Sequence, residues 1–182
     1  MSLKKTLIIY SLLLLLLAGF NINSNWYSFE SKSFGFKIEF PQKPTLSSDN
    51  AQTELGVLKI KTIVYDAEAS KSQDDNLTYL VNYIEYPASK VNSNNKQQLQ
   101  SIYENTIKTT VQNTSGKLIK TQVAFINGYE GRNIIVDMQD KVQLNMRVVL
   151  VNNKMYLMQV FTKSNKSLNE SLKRFMKSFV LL

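Results

Sequence analysis

A period of two runs through most of this chain. In Phe34-Gly-Phe-Lys-Ile-Glu-Phe40, the residues Phe34, Phe36, Ile38 and Phe40 fall on one side, with Lys37 and Glu39 on the other. Successive side chains of a β-strand point to opposite faces, so this spacing predicts a strand with one buried face. Pro41 and Pro44 stop it, because proline has no amide hydrogen for a ladder. Val142, Leu144, Met146, Val148 and Leu150 repeat the pattern. So do Tyr79, Val81 and Tyr83 in a segment ended by Pro87. Further strands are expected over 45–53 and 57–65, turning at Glu54-Leu55-Gly56, and over 117–126, 132–138 and 155–162. Residues 66–76 are polar and read as a loop. Asn127-Gly128, Gln139-Asp140-Lys141 and Asn152-Asn153-Lys154 carry turn chemistry. Connections this short join antiparallel neighbours.

The period changes to that of a helix twice. Leu99, Ile102, Tyr103, Thr106, Ile107, Thr110 and Val111 recur at spacings of three and four. Asn94 or Asn95 can cap that helix, and Gly116 suits the left-handed position at its end. Near the C-terminus, Ser167-Leu-Asn-Glu170 fits a capping box, and Leu168, Leu172, Phe175, Met176 and Phe179 form a stripe. The order is strands, helix, strands, helix. A single antiparallel sheet with helices packed on it satisfies that order, which makes the fold class α+β.

The first residues are of another kind. Lys4 and Lys5 precede an apolar run from Leu7 to Leu17, broken by Tyr10 and Ser11, and small residues follow at Ala18-Gly19. This is the layout of a secretory signal peptide over residues 1–24. The stretch from Leu7 to Phe20 is shorter than the roughly 20 apolar residues of a spanning helix. Leu17-Ala18-Gly19-Phe20 resembles a lipoprotein processing site with phenylalanine where the lipid-bearing cysteine belongs. The expectation is therefore an exported protein, periplasmic or secreted, with one domain over 25–182. If the signal is not cleaved, the protein is anchored in the inner membrane.

Removing 24 residues from 182 leaves 158, one domain's worth with room for a core. The chain has no cysteine and no histidine. Nucleophile systems built on Ser-His or Cys-His pairs are thereby excluded. The usual zinc ligands are missing as well. The net charge of +8 falls to +6 without Lys4 and Lys5, and the basic residues are scattered. Nucleic-acid binders concentrate charge on one face, so no nucleic-acid partner is expected.

Three phrases carry a resemblance. They are Trp26-Tyr-Ser-Phe-Glu30 with Phe34-Gly-Phe-Lys-Ile-Glu-Phe-Pro41, then Asn127-Gly128-Tyr129-Glu130-Gly131-Arg132, then Arg174-Phe-Met-Lys-Ser178-Phe179. In this order and spacing the chain resembles the PsbP-like superfamily, particularly its exported bacterial members. The resemblance spans Trp26 to Phe179 and implies an α-β-α sandwich around an antiparallel sheet. It does not imply one activity. Plant and cyanobacterial members are accessory proteins of the photosystem's oxygen-evolving side, and other relatives bind protein partners. Metal ligands proposed in the photosynthetic branch include histidine, so none carries over to this chain.

Candidate contact residues are Tyr79, Tyr83, Tyr103 and Tyr129, with Glu130 and Arg132 in the turn. Tyrosines, joined by Tyr86, can line a cleft between sheet and helix, where an aromatic wall with a polar tip suits a peptide or small molecule. The alternative is that Tyr79 and Tyr83 pack the sheet under the long helix. Residues 127–132 can be a partner-contact loop or a plain hairpin turn. Asp74-Asp75-Asn76 falls short of a spaced calcium-ligand set and reads as a solvated turn. No catalytic residue, metal or cofactor is assigned. The reading is a monomeric, non-enzymatic binding or accessory module of the cell envelope, with a protein or small-molecule partner. An envelope hydrolase using carboxylates alone and a membrane-anchored structural protein are the alternatives. Mass spectrometry of the exported protein should find a mature N-terminus near Asn25; an intact N-terminus would establish the anchored form.

Overall fold

The computed structural model describes residues 26–167 and 169–182. The signal-like segment, its cleavage point and Leu168 lie outside the described residues. The elements are β1 (Tyr27–Ser31), β2 (Phe36–Phe40), β3 (Thr45–Thr53), β4 (Gly56–Asp66), β5 (Asn76–Glu85) and α1 (Lys96–Asn113). Then come β6 (Lys117–Ile126), β7 (Tyr129–Asp137), β8 (Val142–Val151), β9 (Lys154–Lys163), α2 (Glu170–Lys177) and β10 (Val180–Leu181). The class is α+β, and every strand pair is antiparallel. The strands divide between two sheets. One runs β1-β2-β10, the other β3-β4-β5-β9-β8-β7-β6. Alternation reveals which face of β2 is apolar but not which sheet it joins, and the structure lays β2 over the large sheet.

The large sheet is apolar on both faces at its centre, so it needs two covers. On one face, β2 and α2 close an aromatic core. Phe36, Ile38 and Phe40 meet Tyr79, Val81 and Tyr83 of β5, Tyr156 of β9, and Phe175 and Phe179. The ring of Tyr79 stands edge-on to that of Phe175, with centroids 5.2 Å apart, and Phe36 stands edge-on to Tyr156 at 5.6 Å. Each such pair adds about 0.5–1.5 kcal/mol beyond the area it buries. On the other face, Leu99 and Tyr103 of α1 pack on Ile134, Val136, Leu144, Met146, Val148 and Leu150. The apolar face read from β8 is thus the floor of the α1 layer.

Local chemistry sets the ends of the elements. Asn127 and Gly128 both take positive φ, 49° and 85°, and Ile126 pairs directly with Tyr129. That is the two-residue turn whose twist matches the strands it joins. Asn95 caps α1 by accepting from the Gln98 amide at 3.0 Å. At the other end Ser115, not Gly116, takes the left-handed conformation, with φ 47°. Gly116 is needed for space instead: a Cβ there would lie 2.5 Å from Val136 Cγ1.

The cap of α2 also departs from the sequence reading. Asn169, not Ser167, accepts from the Leu172 amide, at 2.8 Å. The reason is tertiary. The amides of Asn169 and Asn76 exchange two hydrogen bonds, at 2.8 and 2.9 Å, which fixes the cap against the start of β5. Asn76 is only 1% exposed. Its amide also reaches Asp74 Oδ1 at 2.9 Å, and the Tyr79 hydroxyl donates to Asp74 Oδ2 at 2.8 Å. Asp74 and Asn76 are therefore part of a partly buried polar network and not a solvated turn.

Phe36→Asp places an unpaired carboxylate in the aromatic core. A loss of about 3–5 kcal/mol is expected in denaturant unfolding. Val123→Asp, on an exposed position of β6, should cost no more than about 1 kcal/mol, the span of strand propensity. Equal losses at the two positions would overturn the assignment of faces.

Candidate functional site

The six residues singled out in the sequence separate into two layers. Tyr79 and Tyr83 lie in the aromatic core on the α2 face of the sheet, opposite the long helix. They do not pack under α1. Trp26, Tyr65 and Phe175 surround Tyr79, and Phe34 stacks on Tyr83 at 5.0 Å. Burial pushes both phenols well above their ordinary range, with Asp74 and Glu85 adding to the effect. Tyr86 belongs to the other layer, against the α1 core.

Tyr103, Glu130 and Arg132 come together. Period two puts Glu130 and Arg132 on one face of β7, and α1 lies across that face. Gln100 and Tyr103, three residues apart on the helix, point at the pair. Gln100 Nε2 donates to Glu130 Oε1 at 2.9 Å, and Arg132 Nη1 reaches the same oxygen at 2.9 Å. Arg132 also donates to Gln100 Oε1 and, at 2.8 Å, to the Gly131 carbonyl. Its guanidinium carbon lies 5.0 Å from the centre of the Tyr103 ring, where the ring face attracts a cation. The Tyr103 hydroxyl donates to the Glu130 carbonyl at 2.6 Å and accepts from the Leu150 amide at 3.0 Å.

The electrostatics follow from these partners. Hydrogen bonds from Gln100 and then Arg132 hold the Glu130 carboxyl below its ordinary value of 4.5. Burial raises the Tyr103 phenol, against the Leu150 hydrogen bond and the Arg132 charge, which lower it. Arg132 is engaged by a carboxylate, an amide oxygen, a backbone carbonyl and a ring. The cluster is a clamp that holds the β6–β7 hairpin to the long helix.

Tyr129 stands outside the clamp, 38% exposed at the hairpin turn. Beside it the sequence reading missed Phe125, which is 76% exposed, and Val123, at 52%. Phe125 pairs with Glu130 and Val123 with Arg132, so both share the clamp's face. The signal was available: Phe125 lies two residues before the Asn127-Gly128 turn, on the alternate positions that carry Val123. Gln100 was equally readable as the residue one turn before Tyr103. Phe125, Tyr129 and Glu130 line a groove of about 450 Å³ whose other wall is the start of α1, including Lys96 and Leu99. β6 is an edge strand of the large sheet. Its first half is blunted by Lys117, Lys120 and a bulge near Ile119, devices that block strand pairing. Its second half, from Thr121, has neither.

No group of three or more Asp or Glu residues placed to hold a metal ion occurs among the described residues. No helix among them is long and apolar enough to cross a membrane.

No family model matches the chain, and a comparison with curated proteins returns no match. Among solved structures it is similar to cyanobacterial PsbP (CyanoP) from Synechocystis, with a TM-score of 0.59 at 13% identity. That match covers 91% of this chain and 96% of the other. A protein of unknown function from Pseudomonas aeruginosa, PA94, matches with a TM-score of 0.39 at 10% identity, over 86% of this chain and 97% of that one. The second likeness is too loose to add to the argument. The first shows a PsbP-like fold, as the resemblance implied, and at this identity it concerns the fold alone.

The lowered Glu130 pKa has a defined sign. Its contribution to stability is present above the ordinary carboxylate value and is lost as pH falls through the folded value. Glu130→Gln should therefore flatten the fall of the melting temperature below about pH 4.5. Identical pH profiles for variant and wild type would show that the clamp does not hold the charged form.

Proposed function

We propose that this protein is an exported, non-enzymatic binding module of the cell envelope, which docks a protein partner through the end of its β6–β7 hairpin. The observation that carries this reading is Phe125, a large apolar side chain left 76% exposed on a hairpin clamped to the helix behind it. Exposed aromatic side chains are the usual anchors of protein interfaces. Holding the anchor rigid before binding lowers the entropy lost on docking. The unblunted half of β6 adds backbone groups that an extended segment of a partner can pair with.

Export rests on the charged start, short apolar run and small residues of positions 1–24. The carboxylate-enzyme alternative draws less support. A general acid working near neutral pH needs a raised pKa, and Glu130, the carboxylate of this groove, is shifted the other way.

A photo-crosslinking residue at position 125 tests the docking surface in intact envelopes. It should yield a discrete adduct, and the same group at Ser48 on the opposite edge strand β3 should not. Indistinguishable labelling at the two positions, or none at 125, would overturn the docking reading.

A further inference from the structure

The opposite face of the large sheet carries a second groove. It lies where α2 meets β6, β7 and β8, and encloses about 240 Å³. Ile135, Leu172 and Met176 give it an apolar surface. Lys120, Arg147, Lys173 and Lys177 line it as well. Among these four cations Lys173 pairs closely with Glu170, at 2.7 Å, and Lys177 also acts on that carboxylate through its charge, while no ion pair engages Lys120 or Arg147 among the described residues.

Arg147 is the informative member. Its Nε donates to Asn133 Oδ1 at 2.9 Å, and its Nη1 donates to the Met176 carbonyl at 2.9 Å. These two bonds orient the guanidinium plane and leave further N–H groups of the fork to spare. Burial lowers its pKa, because its charge is partly withdrawn from water with no counter-ion beside it among the described residues. A half-buried cation of this kind gains from an oxyanion that brings both charge and paired acceptors. The apolar surface beside it favours an anion with a hydrocarbon body over a bare ion. The volume is below the roughly 300–1,000 Å³ of pockets that enclose drug-sized ligands, which limits that body to a short chain.

We propose that this groove binds a small amphipathic anion. Arg147 receives its oxyanion head, Lys120 and Lys177 flank it, and a short apolar chain lies on Leu172 and Met176. The head is a carboxylate or a phosphate monoester, which share this chemistry. The groove and the hairpin end lie on opposite faces of the sheet, so the two readings stand or fall separately.

Methyl NMR of the purified protein tests it, with octanoate and octyl phosphate as probes. One or both should produce saturable shifts at Ile135, Leu172 and Met176, and the tighter of the two identifies the head group. Octyltrimethylammonium should produce none. Arg147→Gln should weaken binding about tenfold, the worth of a charged hydrogen bond. Arg147 also ties β8 to α2, so a second variant guards against a folding defect. Lys120→Ser with Lys177→Ser, both at exposed positions, should weaken binding about threefold with an unchanged melt. The proposal is overturned if neither anion saturates, if the cationic probe shifts the same methyls, or if both variants bind like wild type.

Discussion

A sheet that is apolar on both faces has to be covered twice, and the rest of this structure follows from that. In β9 the alternation places Tyr156, Met158 and Val160 in one core and Met155 and Leu157 in the other. β8 divides in the same way, with Val149 in the first core and Leu144, Met146, Val148 and Leu150 in the second. Neither helix alone can satisfy both. α1 takes one face, while α2 and the small sheet share the other. Uneven coverage then produces the grooves: one beside the clamped hairpin, one under the flank of α2.

Polar side chains register these layers against each other. Tyr79 fills the aromatic core with its ring and uses its hydroxyl to tie Asp74, which in turn holds the Asn76 amide. Asn76 pairs with the cap of α2, so β5, the loop before it and the last helix are fixed together. Tyr103 does the equivalent work on the other face, where one hydroxyl joins β7 and β8 to α1. In each case a tyrosine supplies apolar bulk and a directed hydrogen bond from one side chain. The two arginines of the large sheet are treated differently. Arg132 is paired and stacked, whereas Arg147 is oriented by neutral oxygens.

Strand positions, turn chemistry and the long helix were legible because they depend on neighbours close in sequence. The Asn127-Gly128 turn is set by two residues able to take positive φ. The faces of β2, β5 and β8 follow from period two. What was not legible depended on distant partners. Ser167 is a sound cap by local rules, yet Asn169 caps α2 because Asn76 holds its amide. That the tyrosines share no single cleft was not legible, because alternation cannot say which layer covers a given face. Tyr79 and Tyr103 went to opposite sides. The small β10, at Val180 and Leu181, is too short to carry a period and exists only by pairing with β2.

The sequence by itself determined an α+β chain of antiparallel strands, without the side chains for histidine or cysteine chemistry, and with the residues of the clamp present in readable spacing. Tertiary structure decided the division into two sheets, the layer each tyrosine joined, and the exposure of Phe125. The physical reason is range. Backbone preference and side-chain periodicity act over a few residues, whereas burial and ion pairing are settled between segments far apart in the chain.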